Sequence, residues 1–484
     1  MRTTKIITDP IYQEMSFGSD PEFIRTFKQV TDTKAFQRLR RITQLGLASY
    51  VFPGATHTRF SHSLGVAYLA RTVLLHLKES ESPLEITPPK FDSVVLAALL
   101  HDIGHGPFSH SFERILKEVK GAPKHEEWTC LLISHPSSDI GRGLRQRGVD
   151  VDSITSVFNN SAGGIIDRPL KQIVSSQLDV DRMDYLIRDS HFAGIAVGRF
   201  DVNYLIHSLA VIEHGANGPA TLGINRKGVK AYEGFSVARQ LMNRTLYYHH
   251  NIQVLEFMME RFLRLVVTHL GDIKGDAASL VPGYFKRVAS ALQGNFEKQA
   301  FMNDAYFDYE QLTEDVVWTM ITAAAARRLT PTLVSPAEQL LTRSILQHFY
   351  VSPGKKGLLL ESLSNDGFRD GEDFYLLDSA TTMYKGLGGQ GVFVQDEQGD
   401  VDEIPRHSET ISAFRDRPEA ESFLIVLNQS RAEEIKKTAE GGQFLLLRKN
   451  RQNVARIPPK RETHSERDTS SDTVVPGTPK SLAG

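Results

Sequence analysis

The sequence is poor in cysteine and in long apolar runs. Cys130 is the single cysteine among 484 residues, so the chain can form no internal disulfide, which fits a reducing compartment. No stretch approaches the ~18 uninterrupted apolar residues of a transmembrane helix. The first residues, Met1 to Ile6, contain no long apolar segment of the kind found in secretory signals. These features predict a cytoplasmic protein with no membrane partner.

Strong net charge is also missing. The formal charge is −2, so composition points to neither a nucleic acid nor a membrane surface as a partner. A basic stretch at residues 448–451 favours a solvated tail, and contact with nucleic acid through it stays an alternative. The 40% hydrophobic and 24% charged residues are typical of a globular protein, and the length indicates more than one structural unit.

The spacing of apolar residues predicts a mainly α protein. Residues 1 to about 30 are expected to be irregular, whereas helical periodicity runs from residue 33 to about 270 and continues to 345 with more polar faces. Strand-like runs follow residue 350, with a hairpin turn at Asp396–Asp400. We therefore predict four parts: a mainly helical core at 1–270, a helical extension at 271–349, a small α+β region at 350–447 and a disordered Ser/Thr/Pro-rich tail at 448–484.

The pair His101-Asp102 is the most informative motif. It follows the apolar run Ala97–Leu100 directly and precedes Gly104, so a charged group stands at the end of a buried helix. Such a charge needs compensation, and a divalent cation commonly compensates a His/Asp pair. Adjacent helical residues point about 100° apart, so other helices must supply further ligands. His62 and Asp181, each on another predicted helix, are the candidates.

The candidate ligands His62, His101, Asp102 and Asp181 form a set of two imidazoles and two carboxylates. Taken singly, each is explained equally well as an ordinary hydrogen-bonded or solvated side chain. Together they predict one divalent ion, which would be Mn, Fe, Mg or Zn. Four protein ligands leave coordination positions for a water and a phosphate oxygen.

Further polar residues surround this set. Asp181, Tyr185 and Asp189 recur every four residues and would line one helix face. Arg59 and Arg182 are the nearby cations, and cations beside a metal would neutralise the charge of a polyphosphate.

Several motifs in this order resemble those of a known family. They are Gln44–Gly46, Tyr50–Gly65, His101–His110 and Asp179–Tyr185. The sequence resembles the HD-domain phosphohydrolases, with the HD motifs at about 57–190. It is most similar to their deoxynucleoside triphosphate (dNTP) triphosphohydrolase branch, which includes dGTPase-like enzymes and an animal enzyme that joins a SAM domain to an HD domain. The resemblance covers roughly residues 4–270, and no SAM domain is visible.

The resemblance implies a role for each matching residue. His62, His101, Asp102 and Asp181 would bind the metal; His105 would act near the α-phosphate; and His125, with Glu113, would protonate the leaving group. The implied phosphate ligands are Arg59, His110, Arg182, Tyr185 and Arg239. Gln44 and Asp189 would bind the sugar 3′-hydroxyl with Leu45 beside them, Tyr247 would exclude a 2′-hydroxyl, and His249 would lie near the base.

The implied activity is metal-dependent hydrolysis of dNTPs to deoxynucleoside and inorganic triphosphate, through attack of water at the α-phosphate. The alternatives are another HD phosphohydrolase, such as a nucleotide phosphatase or phosphodiesterase, and a nucleic-acid-binding protein that retains the HD core. The resemblance further implies a homo-oligomer, dimer or tetramer, with a GTP or dNTP activator bound by Lys5, Asp32, Gln37 and Arg40. The alternative for Asp32 and Arg40 is a surface ion pair.

Overall fold

A computed structural model describes most of the chain. The described residues are 4–80, 84–116, 121–159, 164–214, 219–294, 296–382, 391–414 and 418–446. Residues as far as Leu445 belong to one compact unit. The predicted disordered tail at 448–484 lies outside the described residues. No helix in the described part is long and apolar enough to cross a membrane.

Helices dominate the first half of the chain and begin and end where local signals predict. In chain order they are α1 Pro21–Thr31, α2 Lys34–Gln37, α3 Arg59–Glu79, α4 Pro88–Leu100, α5 His110–Glu113, α6 His125–Ser134, α7 Asp139–Gln146, α8 Val151–Asn159, α9 Arg168–Val174 and α10 Val180–Ala193. Prolines occupy the first turn of α4, where a missing N–H costs nothing. Asp179 caps α10 by accepting from the Arg182 N–H, and Gly194 ends the helix at φ +70°.

The second half of the chain continues helical and then mixes helices with strands. Its helices are α11 Val202–His207, α12 Val229–Met242, α13 His250–Thr268, α14 Gly283–Gln293, α15 Lys298–Glu310, α16 Glu314–Ala325, α17 Val334–Leu341, α18 Lys356–Asn365, α19 Glu409–Phe414 and α20 Ala432–Gly441. The prediction of a mainly α fold is confirmed.

Helix α4 lies at the centre of the first half, packed against α3, α8 and α9. Every residue from Ser93 to Leu100 is buried, so the helix has no polar face and ends inside the protein at His101. Helix α3 packs against both α4 and α10. Gly65 allows the approach of α3 to α10, because a Cβ there would overlap the side chains of Asp184 and Arg188. This packing brings the ends of three helices to one point.

The N-terminal segment corrects the expectation of irregular structure. Strands β1 (Ile6–Asp9) and β2 (Gln13–Ser16) form an antiparallel hairpin, and α1 follows. The turn signals were placed correctly, since Asp9-Pro10 starts the hairpin turn and Asp20 caps α1. Four-residue strands are too short to show a reliable alternation of apolar and polar residues, so the pattern missed them.

Two sheets contain the remaining strands. One has the order β3 (Leu209–Ile212), β4 (Thr221–Asn225), β7 (Phe393–Gln395), β8 (Val401–Glu403), and the other the order β5 (His348–Tyr350), β9 (Pro418–Val426), β6 (Phe374–Thr382). The predicted turn at Asp396–Asp400 joins β7 to β8, which pair antiparallel. Strand β7 also pairs with β4 in parallel, so residues after 350 complete a sheet begun before 270. The domain boundaries near 270 and 350 stay predictions.

Candidate active site

The predicted metal ligands meet where α3, α4 and α10 converge. The Nε2 atoms of His62 and His101 lie 3.2 Å apart, and Asp181 Oδ1 lies 3.0 Å from the first and 3.5 Å from the second. Asp102 is adjacent, with Oδ2 3.7 Å from His62 Nε2 and Oδ1 3.3 Å from His101 Nε2. The fold therefore brings four residues from three separate segments into one cluster.

The other nitrogen of each imidazole is already engaged. His62 Nδ1 bonds to Asp184 Oδ2 at 2.7 Å, and His101 Nδ1 bonds to the Ala98 carbonyl at 2.8 Å. A carboxylate or carbonyl on Nδ1 fixes the ring and leaves Nε2 as the ligand atom, as is usual at metal centres. The two Nε2 atoms and a carboxylate oxygen of Asp181 all lie within 4.8 Å of one another, an arrangement that fits a divalent ion.

Asp184 is held in turn by a buried arginine that reaches the N-terminal hairpin. Arg188 Nε donates to Asp184 Oδ2 at 2.8 Å, and its Nη1 donates to Asp9 Oδ2 at 2.8 Å. Burial opposes the charge of Asp184, but Arg188 and the hydrogen bond from His62 outweigh it and lower its pKa to about 2. The chain Asp9–Arg188–Asp184–His62 thus links β1 to a candidate metal ligand.

Arg59 joins the metal cluster to a large cavity. Its Nη1 donates to Asp102, and its Nη2 donates to Ser109 Oγ at 2.6 Å. The same arginine lines a cavity of about 680 Å³. That volume falls within the range of small-molecule sites. The other predicted substrate residues in its wall are Gln44, Leu45, Tyr185, Asp189, Arg239 and Tyr247.

Two aromatic groups hold Asp189 in the cavity wall. Tyr247 donates its hydroxyl to Asp189 Oδ2 at 2.7 Å, and His57 Nε2 lies 2.7 Å from Oδ1. Both oxygens of this buried carboxylate are therefore oriented. The side-chain carbonyl oxygen of Gln44, Oε1, is also buried and has no hydrogen-bond partner in the described part of the chain. A buried acceptor of this kind favours a ligand that carries a hydroxyl or amino donor.

The predicted acid–base residues form a second cluster beside Asp102. His125 Nδ1 bonds to Glu113 Oε1 at 2.7 Å, and the rings of His105 and His125 stack at 4.1 Å with an interplanar angle of 18°. His105 Nε2 lies 3.3 Å from Asp102 Oδ1. One ligand atom from each of His105, Glu113 and His125 lies within 4.8 Å of the others, so this cluster could transfer protons or hold a metal ion.

The environments of the two histidines push their pKa values apart. Burial, followed by the charges of Arg59 and His125, lowers the pKa of His105 well below its usual range. Burial also acts to lower the pKa of His125, but the hydrogen bond to Glu113 and the charge of Glu113 raise it overall. The opposite shifts make His125 the more readily protonated of the two imidazoles.

Two predicted substrate residues do not line the large cavity in the described structure. Arg182 turns towards Asp179 and the Ser176 carbonyl and lines a different cavity. His249 begins α13, where its ring stacks on His250 with centroids 4.5 Å apart. The His110 side chain lies outside the described residues.

The predicted activator residues surround α2. Arg40 stacks over the Phe60 ring at 3.5 Å and donates from Nε to Gln37 Oε1 at 2.8 Å. Asp32 is exposed at the end of α1, and the described structure contains no ion pair between it and Arg40. The alternative of a surface ion pair between these two residues finds no support in the described structure. The Lys5 main chain bonds to Gly18 and Phe17 beside the hairpin.

Sequence reasoning missed the residues that hold the loop after the HD pair. Arg38 Nη2 donates to the Ile103 carbonyl at 2.6 Å, and the Tyr309 hydroxyl donates to the Gly104 carbonyl at 2.6 Å. Glu314 Oε1 accepts from the N–H of Phe108 at 3.4 Å and from the Thr43 hydroxyl at 2.8 Å. Tyr309 and Glu314 come from the helical extension, and no local pattern links them to the motif.

Two known protein families match consecutive parts of the chain. Residues 59–189 match the HD domain, and residues 200–280 match the HD associated region. Two consecutive segments of the chain are therefore similar to an HD domain and to the region associated with it. The first match begins at Arg59 and ends at Asp189, so it contains all four candidate metal ligands.

Particular relatives agree with this class. The chain is 34% identical over 244 residues to an uncharacterized protein of Mycoplasma genitalium, covering 49% of this chain and 55% of the relative. It is 33% identical over 280 residues to the chicken deoxynucleoside triphosphate triphosphohydrolase SAMHD1, covering 53% of this chain and 44% of that protein. The chain thus spans about half the length of the curated relatives it matches. The predicted resemblance to HD-domain dNTP triphosphohydrolases is confirmed.

A solved structure extends the similarity beyond the HD region. A phosphohydrolase from Bacteroides thetaiotaomicron superposes with a TM-score of 0.69 at 26% identity. The match covers 88% of this chain and 100% of that chain. The C-terminal helices and strands therefore belong to an architecture that this phosphohydrolase shares.

Proposed function

We propose that this protein hydrolyses deoxynucleoside triphosphates to deoxynucleosides and inorganic triphosphate. The observation that carries the proposal is the position of Arg59 between two sites. It pairs with Asp102 of the metal cluster, and it also lines the large cavity. A phosphate bound against Arg59 would lie next to the metal cluster, while the rest of a nucleotide occupies the cavity. The similarity to a curated dNTP triphosphohydrolase supports this substrate class.

Each part of the site has a defined task in this reaction. A divalent ion held by His62, His101, Asp102 and Asp181 supplies Lewis-acid polarisation of a phosphoryl oxygen and lowers the pKa of water. Neutral His105 orients or accepts the proton of the attacking water. Protonated His125, kept charged by Glu113, donates a proton to the departing 5′-oxygen of the deoxynucleoside.

The cavity walls supply charge and shape for the substrate. Arg59 and Arg239 line the cavity and neutralise the charge of the triphosphate. Asp189 and Gln44 offer acceptors to a sugar 3′-hydroxyl. The Tyr247 ring is fixed by its bond to Asp189 and leaves little room for a 2′-hydroxyl.

We also propose that the protein forms a homo-oligomer and that GTP or a dNTP activates it by binding to Lys5, Asp32, Gln37 and Arg40. The exposure of Asp32 and Arg40 supports this part, although Arg40 already donates to Gln37 and stacks over Phe60. An increase in the rate on adding GTP, together with a rise in mass by light scattering, is the expected result. A rate that stays constant with every added nucleotide would contradict activation.

Product analysis tests the reaction itself. We would incubate the protein with each dNTP, singly and as a mixture, with Mn²⁺ or Mg²⁺, and separate the products by ion exchange. Deoxynucleoside with intact triphosphate is the expected result. A nucleoside monophosphate or pyrophosphate as the first product would contradict it and favour another HD phosphohydrolase reaction.

A further inference from the structure

His57 lies behind the wall of the large cavity and is not one of its lining residues. Its side chain is 1% exposed, and its ring stacks on Phe192 with centroids 4.6 Å apart and an interplanar angle of 18°. Gly54, three residues earlier, allows this segment to approach the end of α10, because a Cβ there would lie 2.4 Å from the Phe192 carbonyl oxygen. Packing therefore fixes the position of the imidazole.

The polar contact of this ring is with Asp189. His57 Nε2 lies 2.7 Å from Asp189 Oδ1, whereas Nδ1 is buried and has no hydrogen-bond partner among the described residues. Because an ionised carboxylate only accepts hydrogen bonds, the proton of the imidazole lies on Nε2. A phenylalanine would fill a similar space without burying an unpaired nitrogen, which is unfavourable. The hydrogen bond to Asp189 is thus what the imidazole adds at this position.

The two donors on Asp189 leave acceptor capacity for a ligand. Tyr247 donates to Oδ2 and His57 donates to Oδ1, so each oxygen keeps a further lone pair. Asp189 is only 2% exposed, yet it lines the large cavity. A carboxylate held at both oxygens does not have to be reoriented when a hydroxyl binds, which lowers the entropic cost of binding.

The main chain of His57 acts on the other predicted sugar ligand. Gln44 donates its backbone N–H to the His57 carbonyl at 3.0 Å, and Thr43 and Thr58 form an antiparallel bridge beside this bond. Gln44 Oε1 is a buried acceptor that has no partner among the described residues. One residue therefore holds both acceptors, since its side chain orients Asp189 and its carbonyl anchors Gln44.

We propose that His57 is a positioning residue for recognition of the sugar 3′-hydroxyl, and that it acts through Asp189 and Gln44 without touching the substrate. The inference rests on the proposed binding of a dNTP in the large cavity. A nucleotide without the 3′-hydroxyl would leave a desolvated carboxylate and a buried amide oxygen without their donor, which is unfavourable. His57 should therefore set how strongly the site prefers a deoxynucleotide over a 2′,3′-dideoxynucleotide.

The ratio of kcat/KM for dGTP to kcat/KM for 2′,3′-dideoxyguanosine triphosphate measures this preference, since the two substrates differ only in the 3′-hydroxyl. His57→Phe keeps a ring that stacks on Phe192 but removes the donor. It should lower the ratio at least about tenfold, as expected for loss of a hydrogen bond to a charged group. His57→Gln places an amide N–H at a similar reach and should retain most of the ratio. If His57→Phe does not fold, His57→Asn replaces it, because its shorter amide falls short of Asp189.

A merely structural role of His57 predicts a different result. His57→Phe would then lower kcat/KM for both nucleotides by the same factor and leave the ratio unchanged, and this result would overturn the proposal. A His57→Gln protein that loses as much of the ratio as His57→Phe would overturn it as well, because the donor would then not be the cause.

Binding measurements separate this proposal from that of hydrolysis. Calorimetric titration of Asp181→Ala, which should not consume nucleotide, gives the affinity for the same two nucleotides. A preference for dGTP that disappears when His57→Phe is added supports the positioning role even if product analysis detects no triphosphate. If no triphosphate is detected and the two affinities are equal in Asp181→Ala, the proposal is overturned together with that of hydrolysis.

Discussion

Single residues decide the metal chemistry, and Asp181 is the most informative of them. Its Oδ1 faces both candidate imidazoles, and no other carboxylate replaces it on the α10 side. Asp181→Ala should therefore remove the bound divalent ion and abolish turnover, whereas Asp276→Ala, at an exposed position, should change neither. Metal content by mass spectrometry, measured with the rate, checks both effects. An Asp181→Ala protein that retains stoichiometric metal would remove Asp181 from the ligand set.

The protonation of His125 should set the alkaline limb of the pH–rate profile. Glu113 raises the pKa of His125 above its usual 6.5, so the protonated acid persists as the pH rises and is lost above the raised value. The substitution Glu113→Gln removes the negative charge beside His125, so the pKa of His125 should fall. The alkaline limb of kcat should therefore move to lower pH, while the acid limb stays in place. An unmoved alkaline limb would mean that His125 is not the acid.

At this scale the sequence predicted the chemistry but not the partners that position it. His62, His101, Asp102 and Asp181 were recognisable as donor types at the ends of apolar helices. Asp184, three residues after Asp181, was recognised only as part of a motif. Its contact with His62 could not be predicted, because that contact depends on how α3 crosses α10. Hydrogen bonds between residues distant in sequence have no local signature.

At the scale of elements, the N-terminal hairpin acts on the metal cluster through Arg188. Asp9 is the last residue of β1 and bonds to Arg188, which fixes Asp184 and hence His62. Asp9→Asn should lower the affinity for the divalent ion by about 10–100-fold, the usual effect of losing an outer-shell partner. Glu14→Gln removes an exposed charge from the same hairpin and is the matched control. Direct titration with Mn²⁺ measures the affinity, and equal values in all three proteins would refute the linkage.

The helical extension acts on the loop after the HD pair through Glu314. Burial raises the pKa of Glu314 to about 7, although its hydrogen bonds to Thr43 and Phe108 oppose the rise. Because the folded pKa exceeds the usual 4.5, the contribution to stability is complete below pH 4.5 and is lost as the pH rises through 7. The full effect corresponds to roughly 3 kcal/mol.

Glu314→Gln should therefore reduce the loss of stability on going from about pH 5 to about pH 8. Urea unfolding at the two pH values measures it, with Glu338→Gln, at an exposed position in α17, as the comparison. A wild-type protein whose unfolding free energy shows no such fall, or a variant with the same fall, would show that Glu314 does not titrate in this range.

Element type was predictable where periodic patterns were long, and unpredictable where they were short. The 21 residues of α3 and 13 of α4 cover several turns, so their helical spacing is unambiguous. The four residues of β1 give too few alternations to distinguish a strand from a loop, and the same holds for β3 within the region expected to be helical. Strand pairing supplies the stability that local propensity does not.

At the scale of the whole molecule, residues far apart in sequence share one core. Val394 of β7 pairs with Ile224 of β4, and both side chains are fully buried. Ser408 donates to Glu233 of α12 at 2.6 Å, which adds a polar contact between the same two regions. The strand-like run at 392–394 was visible in the sequence, but its partner was not, because pairing across so many residues depends on the complete fold.

This shared core predicts how the protein responds to truncation. A chain that ends at residue 349 would leave the β4 edge unpaired and expose its apolar residues, whereas a chain that ends at residue 446 keeps every strand. We expect the first to melt below the full chain, by about 1 °C for each 1 kcal/mol of stability lost in a unit of this size, and the second to melt with it. Val394→Asp places a charge in the same contact without removing any chain, so it should lower the melting temperature in the same direction. If both the shorter chain and Val394→Asp melted with the full chain, the segment after 349 would contribute nothing to the stability of the HD region, and its contact with β4 would be incidental.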